Sequence, residues 1–299
     1  MKQGNIIKHR SSSLDARKKR IALVMLIPAI IYFGVFVYYP VYNLFKLSFF
    51  KYNMFSKPIF IGLKNFIELS VNKDFLKALG NTVYFAFFTT FFLILISFSL
   101  AIVIEKCDPR VSNFYKIIYF IPYITPMVAV ALIWQWIYLP GESGLLNYLL
   151  SFFGISPQSW LYNRSLAMPA IILLSVWSQV GYYLIIFIAG LKGIPREYYE
   201  AAKIDGANKW QEIFYITFPS LMPIFQFVLI ICTLQGFKVF TQMYVLTQGG
   251  PVGSTMTIVY EIYRQTFQFS KWGYGSAEAV VLFLLLLILS FLQRRITRS

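Results

Sequence analysis

Residues 200–206 read Glu-Ala-Ala-Lys-Ile-Asp-Gly, and residues 216–219 read Ile-Thr-Phe-Pro. This polar, amphipathic stretch stands between two long apolar runs, in a chain in which only 13% of the residues are charged. Soluble domains usually carry about 25% charged residues. A short amphipathic segment between two apolar runs of this length has no core of its own to pack on. We therefore interpret residues 191–217 as a docking surface for a partner outside the bilayer.

The apolar residues around this segment occur in blocks whose length suits a membrane. A helix that crosses the hydrocarbon layer needs about 20 apolar residues, and its backbone groups must be hydrogen-bonded internally. Five charge-free runs reach that length, and a sixth does so if it begins near Tyr274 and includes Glu278. The six runs are 21–45, 78–104, 117–141, 165–191, 213–237 and 279–293. The sequence thus predicts an all-α, polytopic membrane protein with six transmembrane helices.

The charges predict the orientation of these spans. Seven of the first 20 residues are Lys or Arg, and four of them directly precede the first span, a pattern typical of a cytoplasmic segment. We expect a cytoplasmic basic tail (1–20), a first transmembrane helix with an extracellular loop (21–77), a transmembrane core (78–293) and a cytoplasmic C-terminal tail (294–299). The net charge of +15 is explained by anionic lipid heads, so no nucleic-acid partner is predicted.

Local signals predict three details of the spans and their loops. Pro122 and Pro126 predict a kink in the third span. The apolar residues of 60–69 predict a short interfacial helix in the first long loop. Asn81 and Thr82 are predicted to cap the second span.

The polar segment 191–217 is predicted to form two short helices around a turn. Gly206 is suited to the position just past the end of the first helix. Asn208 and Gln211 have the spacing of a capping box at the start of the second helix.

Residues 190–219 resemble the signature of the permease subunits of binding-protein-dependent ABC importers. The family pattern is Glu-Ala-Ala, three residues, Gly, nine residues, Ile, one residue and Leu-Pro; this chain matches it except for Phe218 at the leucine position. Residues 247–251, Thr-Gln-Gly-Gly-Pro, resemble the carbohydrate branch of this family, which includes the maltose and glycerol-phosphate permeases. Other matches to that branch are Tyr38-Tyr39-Pro40, Gly62-Leu63-Lys64-Asn65-Phe66, Ile262-Tyr263 and Gly273-Tyr274.

The resemblance implies an ABC type I importer permease fold and a mechanical role for the loop 191–217. In such importers this loop inserts into a cleft of an ATPase subunit and transmits ATP-driven closure to the spans. Glu200 would contact the ATPase, the two alanines would permit close approach, and Gly206 would allow the turn. The residues that the resemblance assigns to this coupling are Glu200, Ala201, Ala202, Asp205 and Gly206. From the residues alone, an ordinary amphipathic linker is the alternative.

The resemblance also implies the partners of the chain. These are a second homologous permease subunit, two ATPase subunits, an extracellular sugar-binding protein and membrane lipid. The sequence contains no Gly-x-x-x-x-Gly-Lys-Ser/Thr phosphate-binding loop. We therefore expect ATP and Mg to bind to the partner ATPase subunits, with no cofactor, metal or enzymatic activity on this chain. Its single histidine and two separated cysteines offer no metal site.

The transported substrate is expected to be a sugar or oligosaccharide, which needs hydrogen-bond partners and aromatic surfaces. Spans four and five supply uncharged polar and aromatic residues of that kind, and in the maltose-permease relative the same two spans form the sugar pocket. The candidates are Trp177, Gln179, Tyr182, Gln235 and Gly236. The alternative is that the two glutamines only join helices through hydrogen bonds.

Two other function classes fit the sequence less well. A secondary transporter would usually carry charged residues near mid-membrane and inverted repeats; only Glu278 is a candidate, and its position near the outer end of span six favours a solvated or paired carboxylate. An intramembrane enzyme would need a polar catalytic cluster, which the sequence does not provide. Alternating access without covalent chemistry is the mechanism predicted.

Overall fold

The computed structural model describes residues 18–19 and 21–296. The predicted tails 1–20 and 294–299 therefore lie largely outside the described residues. The helices are α1 (Ile21–Leu47), α2 (Lys64–Val71), α3 (Lys73–Glu105), α4 (Pro109–Ile124), α5 (Met127–Ile137), α6 (Leu145–Ser151), α7 (Ala167–Lys192), α8 (Arg196–Ile204), α9 (Lys209–Gln211), α10 (Met222–Phe237), α11 (Thr241–Leu246), α12 (Ile258–Tyr263) and α13 (Trp272–Ile296).

Shorter elements join these helices. The two-residue strands β1 (Phe50–Lys51) and β2 (Ile59–Phe60) pair antiparallel. π-Helical turns lie at Gly34–Tyr38 within α1, at Glu212–Thr217 after α9 and at Arg264–Gln268 after α12. Single turns cover Gly141–Ser143 and Phe218–Ser220.

Five helical stretches of the described chain are long and apolar enough to cross a membrane. They are α1, α3, α7, the α10–α11 stretch and α13, and the bent pair α4–α5 makes a sixth if it is counted as one span. The predicted all-α, polytopic membrane fold is therefore confirmed. Because successive spans alternate in direction, α8 lies at one end of the bundle, which we call the α8 end.

The third span is broken rather than kinked. α4 and α5 meet at an angle of 98°, and Thr125 between them is extended, with φ −73° and ψ 132°. Pro126 explains the break, since a proline disfavours helical geometry at the residue before it. Pro122, by contrast, is accommodated inside α4. The sequence located the bend but underestimated its size.

The second span begins earlier than predicted. α3 starts at Lys73, and the Asn72 side chain caps it by accepting hydrogen bonds from two backbone N–H groups of the first turn, at 2.9 and 3.1 Å. The prediction that Asn81 and Thr82 cap this helix is wrong. Asn81 instead donates to the carbonyls of Gly253 and Met256, at 2.9 and 2.8 Å. It thus attaches α3 to the loop before α12.

The first long loop packs against the start of the last span. α2 confirms the short helix that was predicted in this loop. Gly273 donates its backbone N–H to the carbonyl of Tyr52 at 3.1 Å, and the Tyr274 hydroxyl accepts a hydrogen bond from Asn72 at 2.8 Å. A Cβ at Gly273 would overlap the carbonyl of Phe50, so this close approach requires glycine.

α7 is the central helix of the bundle. Its most apolar stretch is 67% buried, whereas the corresponding stretch of α1 is 0% buried. α7 packs mainly against α3 and α4, and Gly181 faces the backbone carbonyl of Tyr119 on α4 so closely that a Cβ would overlap it. Since the most apolar stretch of α1 is not covered by the rest of the described chain, lipid is the environment that suits it.

Candidate functional site

The 191–217 loop folds as two helices around a turn, as predicted. α8 ends at Ile204, and Gly206 follows in the left-handed region with φ +79°. Asn208 then caps α9: its Oδ1 accepts from the Gln211 N–H at 3.0 Å, and Gln211 Oε1 accepts from the Asn208 N–H at 2.7 Å. Both hydrogen bonds of the capping box are present, so the turn between the helices is well determined.

The residues predicted to couple this loop to an ATPase lie on its surface. Glu200, Ala201, Asp205 and Gly206 are exposed, and Ala202 is half-buried. Ile204 is 87% exposed and Tyr198 is 54% exposed. Apolar side chains of this size beside small alanines form a surface that another protein could cover.

The loop is attached directly to spans four and five. The Tyr199 hydroxyl on α8 lies 2.9 Å from Thr217 Oγ1, at the root of span five. At the end of span four, a Cβ at Gly190 would overlap the side chains of Leu221 and Ile224. The missing side chain lets the two spans approach closely beside the loop, so a displacement of α8 acts on both.

A cavity of about 510 Å³ lies among spans two to five, deeper in the bundle. Gln179 and Tyr182 of α7 and Gln235 and Gly236 of α10 line it, so four of the five predicted substrate residues border one cavity. In the described chain neither glutamine side chain makes a hydrogen bond. The two amides therefore do not join helices here and remain available to a ligand.

The fifth candidate, Trp177, is not brought to the cavity. It is 45% exposed and packs edge-on against Trp134, with ring centroids 5.4 Å apart. Residues two apart on a helix do not face each other; Gln179 lines the cavity, whereas Trp177 lies on the side of α7 that contacts Trp134. Gly236 lines the cavity but also fits against Ala86 of α3, where a Cβ would crowd the backbone.

Sequence reasoning missed several residues of the cavity wall. Tyr123 of α4 stacks on Tyr182, with ring centroids 4.7 Å apart and planes 16° from parallel. The turn between α10 and α11 adds Lys238 and Phe240, followed by Gln242. The prolines show where the helices bend. They do not show whether the residues next to each bend point into the cavity or away from it.

Glu278 differs from expectation. It is 0% exposed, and neither of its carboxylate oxygens has a hydrogen-bond partner, so the expected solvated or paired carboxylate is wrong. Arg264, a nearby cation, is already engaged by Glu261 at 3.1 Å. Glu261 also accepts a 2.7 Å hydrogen bond from Gln265. The geometry gives Glu278 no part in the cavity between spans two and five.

A bundle of apolar spans, an exposed helical loop joined to two of them and a cavity lined by amides and aromatic rings define a membrane transport subunit. The chain belongs to the family of binding-protein-dependent transport system inner membrane components, which matches residues 94–299. It is thus a permease, a multi-span subunit that carries out transport without catalysis of its own.

Similar proteins of known sequence span almost the whole chain. It is 37% identical to the probable ABC transporter permease protein YurN of Bacillus subtilis, over 95% of this chain and 98% of that protein. It is 34% identical to the arabinooligosaccharides transport system permease protein AraP of Bacillus subtilis, over 94% and 90%. It is 31% identical to the trehalose/maltose transport system permease protein MalF of Thermococcus litoralis, over 96% and 97%.

A solved structure shows the same fold. The chain superposes with a TM-score of 0.85 on a subunit of a bacterial ABC transporter involved in the import of the acidic polysaccharide alginate. The two share 24% identity, and the match covers 96% of this chain and 98% of the other. The predicted ABC importer permease fold is confirmed by this likeness.

Proposed function

We propose that this permease moves a sugar or oligosaccharide across the bacterial cytoplasmic membrane by alternating access. The observation that carries the proposal is the cavity wall, where the unpaired amides of Gln179 and Gln235 lie beside the stacked rings of Tyr123 and Tyr182. Amides match the hydroxyl groups of a sugar, and aromatic faces match its apolar ring faces.

The relatives support a carbohydrate substrate. The AraP and MalF proteins are named for arabinooligosaccharide and trehalose/maltose transport. A third relative, the diacetylchitobiose uptake system permease protein NgcF of Streptomyces coelicolor, is 35% identical over 80% of this chain. These names share saccharides of two or more units, which is the substrate class that we assign to the cavity.

The 191–217 loop indicates the partner subunits of this permease. α8, with Glu200, Ala201, Ala202, Asp205 and Gly206, docks into a separate ATPase subunit, which binds ATP and Mg; this chain binds neither. A second homologous permease completes the pathway, two ATPases flank it, and an extracellular binding protein delivers the sugar. The α8 end and both termini face the cytoplasm, with the domain limits predicted above.

Uptake by the reconstituted complex tests this assignment. Proteoliposomes with the permease pair, its ATPases and binding protein should take up labelled oligosaccharide only with internal ATP. Replacing Gln179 or Gln235 by alanine removes one neutral hydrogen bond, worth about 0.5–1.5 kcal/mol. The sugar concentration for half-maximal uptake should therefore rise about 2- to 13-fold.

The control is Gln135→Ala, which removes the same side chain from α5 outside the cavity lining and should leave uptake unchanged. Uptake driven by an ion gradient in the absence of the ATPases would refute the proposal. Equal uptake by all three variants and the unmodified complex would show that the sugar does not bind in this cavity.

A further inference from the structure

A second cavity, of about 610 Å³, lies at the α8 end of the bundle. It is bounded by the end of α3, the start of α4, the end of α7, the face of α8 that carries Tyr199, and the π-helical turn after α9. The proposed transport pathway does not use it, because its lining shares no residue with the cavity that contains Gln179 and Gln235.

The lining is rich in unpaired positive charge. The lining contains four cations and two acids. The cations are Lys106, Lys192, Arg196 and Lys203, and the acids are Glu105 and Glu212. Within the described residues none of the four makes an ion pair or a side-chain hydrogen bond. They come from the ends of α3 and α7 and from one side of α8, where positions 196 and 203 lie two turns apart. A convergence of unpaired cations from separate elements favours an anion.

The same cavity has an apolar side, formed where the membrane spans end. The apolar lining residues are Ile102, Pro109, Leu191, Ile194 and Ile213. Ile194 is buried, and Leu191 and Ile213 are half-buried. A free phosphate would leave this side empty, and so would an acidic protein loop that touched only the cations. A lipid satisfies both sides, since its headgroup carries the charge and its acyl chains continue along apolar surface.

We propose that this cavity binds an anionic phospholipid of the cytoplasmic leaflet, with the headgroup phosphate held by Lys106, Lys192, Arg196 and Lys203. Basic pockets between spans on the cytoplasmic side of membrane proteins suit such headgroups, and charge-assisted contacts to phosphate are stronger than neutral hydrogen bonds. Tyr199, which is hydrogen-bonded to Thr217, lines the same cavity. The lipid thus lies against the contact that joins α8 to span five.

Lipid retention tests the site independently of transport. The complete permease–ATPase complex is placed in nanodiscs of phosphatidylcholine with a small fraction of phosphatidylglycerol, released, and analysed by native mass spectrometry. The test variant is Lys106→Gln/Lys192→Gln, which leaves α8 unchanged. Loss of two charges, each contributing about 1 kcal/mol near an anionic surface, should weaken phosphatidylglycerol binding about 30-fold.

The matched control is Lys57→Gln/Lys64→Gln, which removes the same charge from exposed positions of the loop at the opposite end and should retain phosphatidylglycerol. Equal retention of phosphatidylglycerol by both variants would show that the lipid does not bind in this cavity. Displacement of the lipid by millimolar inorganic phosphate would show that the site holds a free anion instead. Loss of the ATPase from the test variant with phosphatidylglycerol still bound would show that the cations serve protein docking.

Discussion

Replacing Gly206 by valine tests the mechanical role of the 191–217 loop. Gly206 has a φ of +79°, yet a Cβ built there meets no atom within 4 Å. The substitution therefore acts on the backbone and not by collision within this chain. A left-handed conformation costs an L-residue about 1–2 kcal/mol, and such strain reaches about 3 kcal/mol at unfavourable positions, as expected for a β-branched side chain.

This strain acts on the turn that ends α8. The hydrogen bonds at risk join the Gly206 N–H to Lys203 at 3.1 Å and the Ala207 N–H to Ala202 at 2.9 Å. A free energy of about 1–3 kcal/mol lowers the population of the native turn about 5- to 150-fold. Because the turn sets the direction of α9 and the root of span five, ATP hydrolysis should continue while the sugar transported per ATP falls.

The control is Gly206→Asn, because asparagine adds comparable bulk but tolerates the left-handed region. ATP hydrolysis and uptake are measured in the same proteoliposomes, and insertion is verified by the yield of the assembled complex. Valine should reduce the sugar-to-ATP ratio at least fivefold, and asparagine should largely preserve it. Normal coupling in the valine complex would refute the reasoning, and equal losses in both variants would assign the effect to side-chain bulk at the ATPase contact.

Five further substitutions test the bundle itself through the midpoint of thermal unfolding in detergent. Asn147→Ala should lower the unfolding midpoint by several degrees, because the buried Asn147 amide makes five hydrogen bonds that hold the 139–160 loop. The partners left without a hydrogen bond cost about 1–3 kcal/mol. An unchanged midpoint would contradict this reasoning. Gly181→Ala should impair assembly, whereas Gly80→Ala, which enters open space on a helix, should stabilise by up to about 1 kcal/mol. Glu278→Gln should be neutral or stabilising, because Glu278 is buried without a hydrogen-bond partner. Glu261→Gln should destabilise, because it removes the 3.1 Å ion pair of Arg264 and leaves only the 3.9 Å contact with Asp74.

The spans were predictable because a helix that crosses the hydrocarbon layer needs about 20 apolar residues. A run of that length and composition can be recognised directly in the sequence. The 191–217 loop was predictable for a different reason, since its glycine and its capping residues act over three or four positions. The start of α3 was missed because Lys73 and Lys77 interrupt the apolar run, although the helix continues beyond the hydrocarbon. A charge marks where lipid ends but not where a helix begins.

The cavity was only partly predictable, because its wall depends on tertiary geometry. Gln179 and Gln235 were recognisable as polar residues inside spans. Tyr123 was not, since it lines the cavity from the end of α4, beside the 98° break before α5. Prolines suggest such a break but do not define its angle. Trp177 was included for its chemistry, but its position on the helix turns it to Trp134.

The two spans attached to the 191–217 loop are also those that carry the cavity amides. Gln179 lies 13 residues before Lys192, the end of α7, and Gln235 lies 13 residues after Met222, the start of α10. At 1.5 Å per residue, Gln179 lies about 20 Å from the end of α7 and Gln235 about 20 Å from the start of α10. α7 is interrupted by no break over this length, and neither is α10. A displacement of α8 can therefore reach the two amides along two unbroken helices. The contact between Tyr199 and Thr217 joins α8 to the root of span five, and Gly190 lets the end of α7 approach Leu221 and Ile224 closely. Movement of the loop should therefore change the shape of the cavity around its ligand rather than separate α7 from α10.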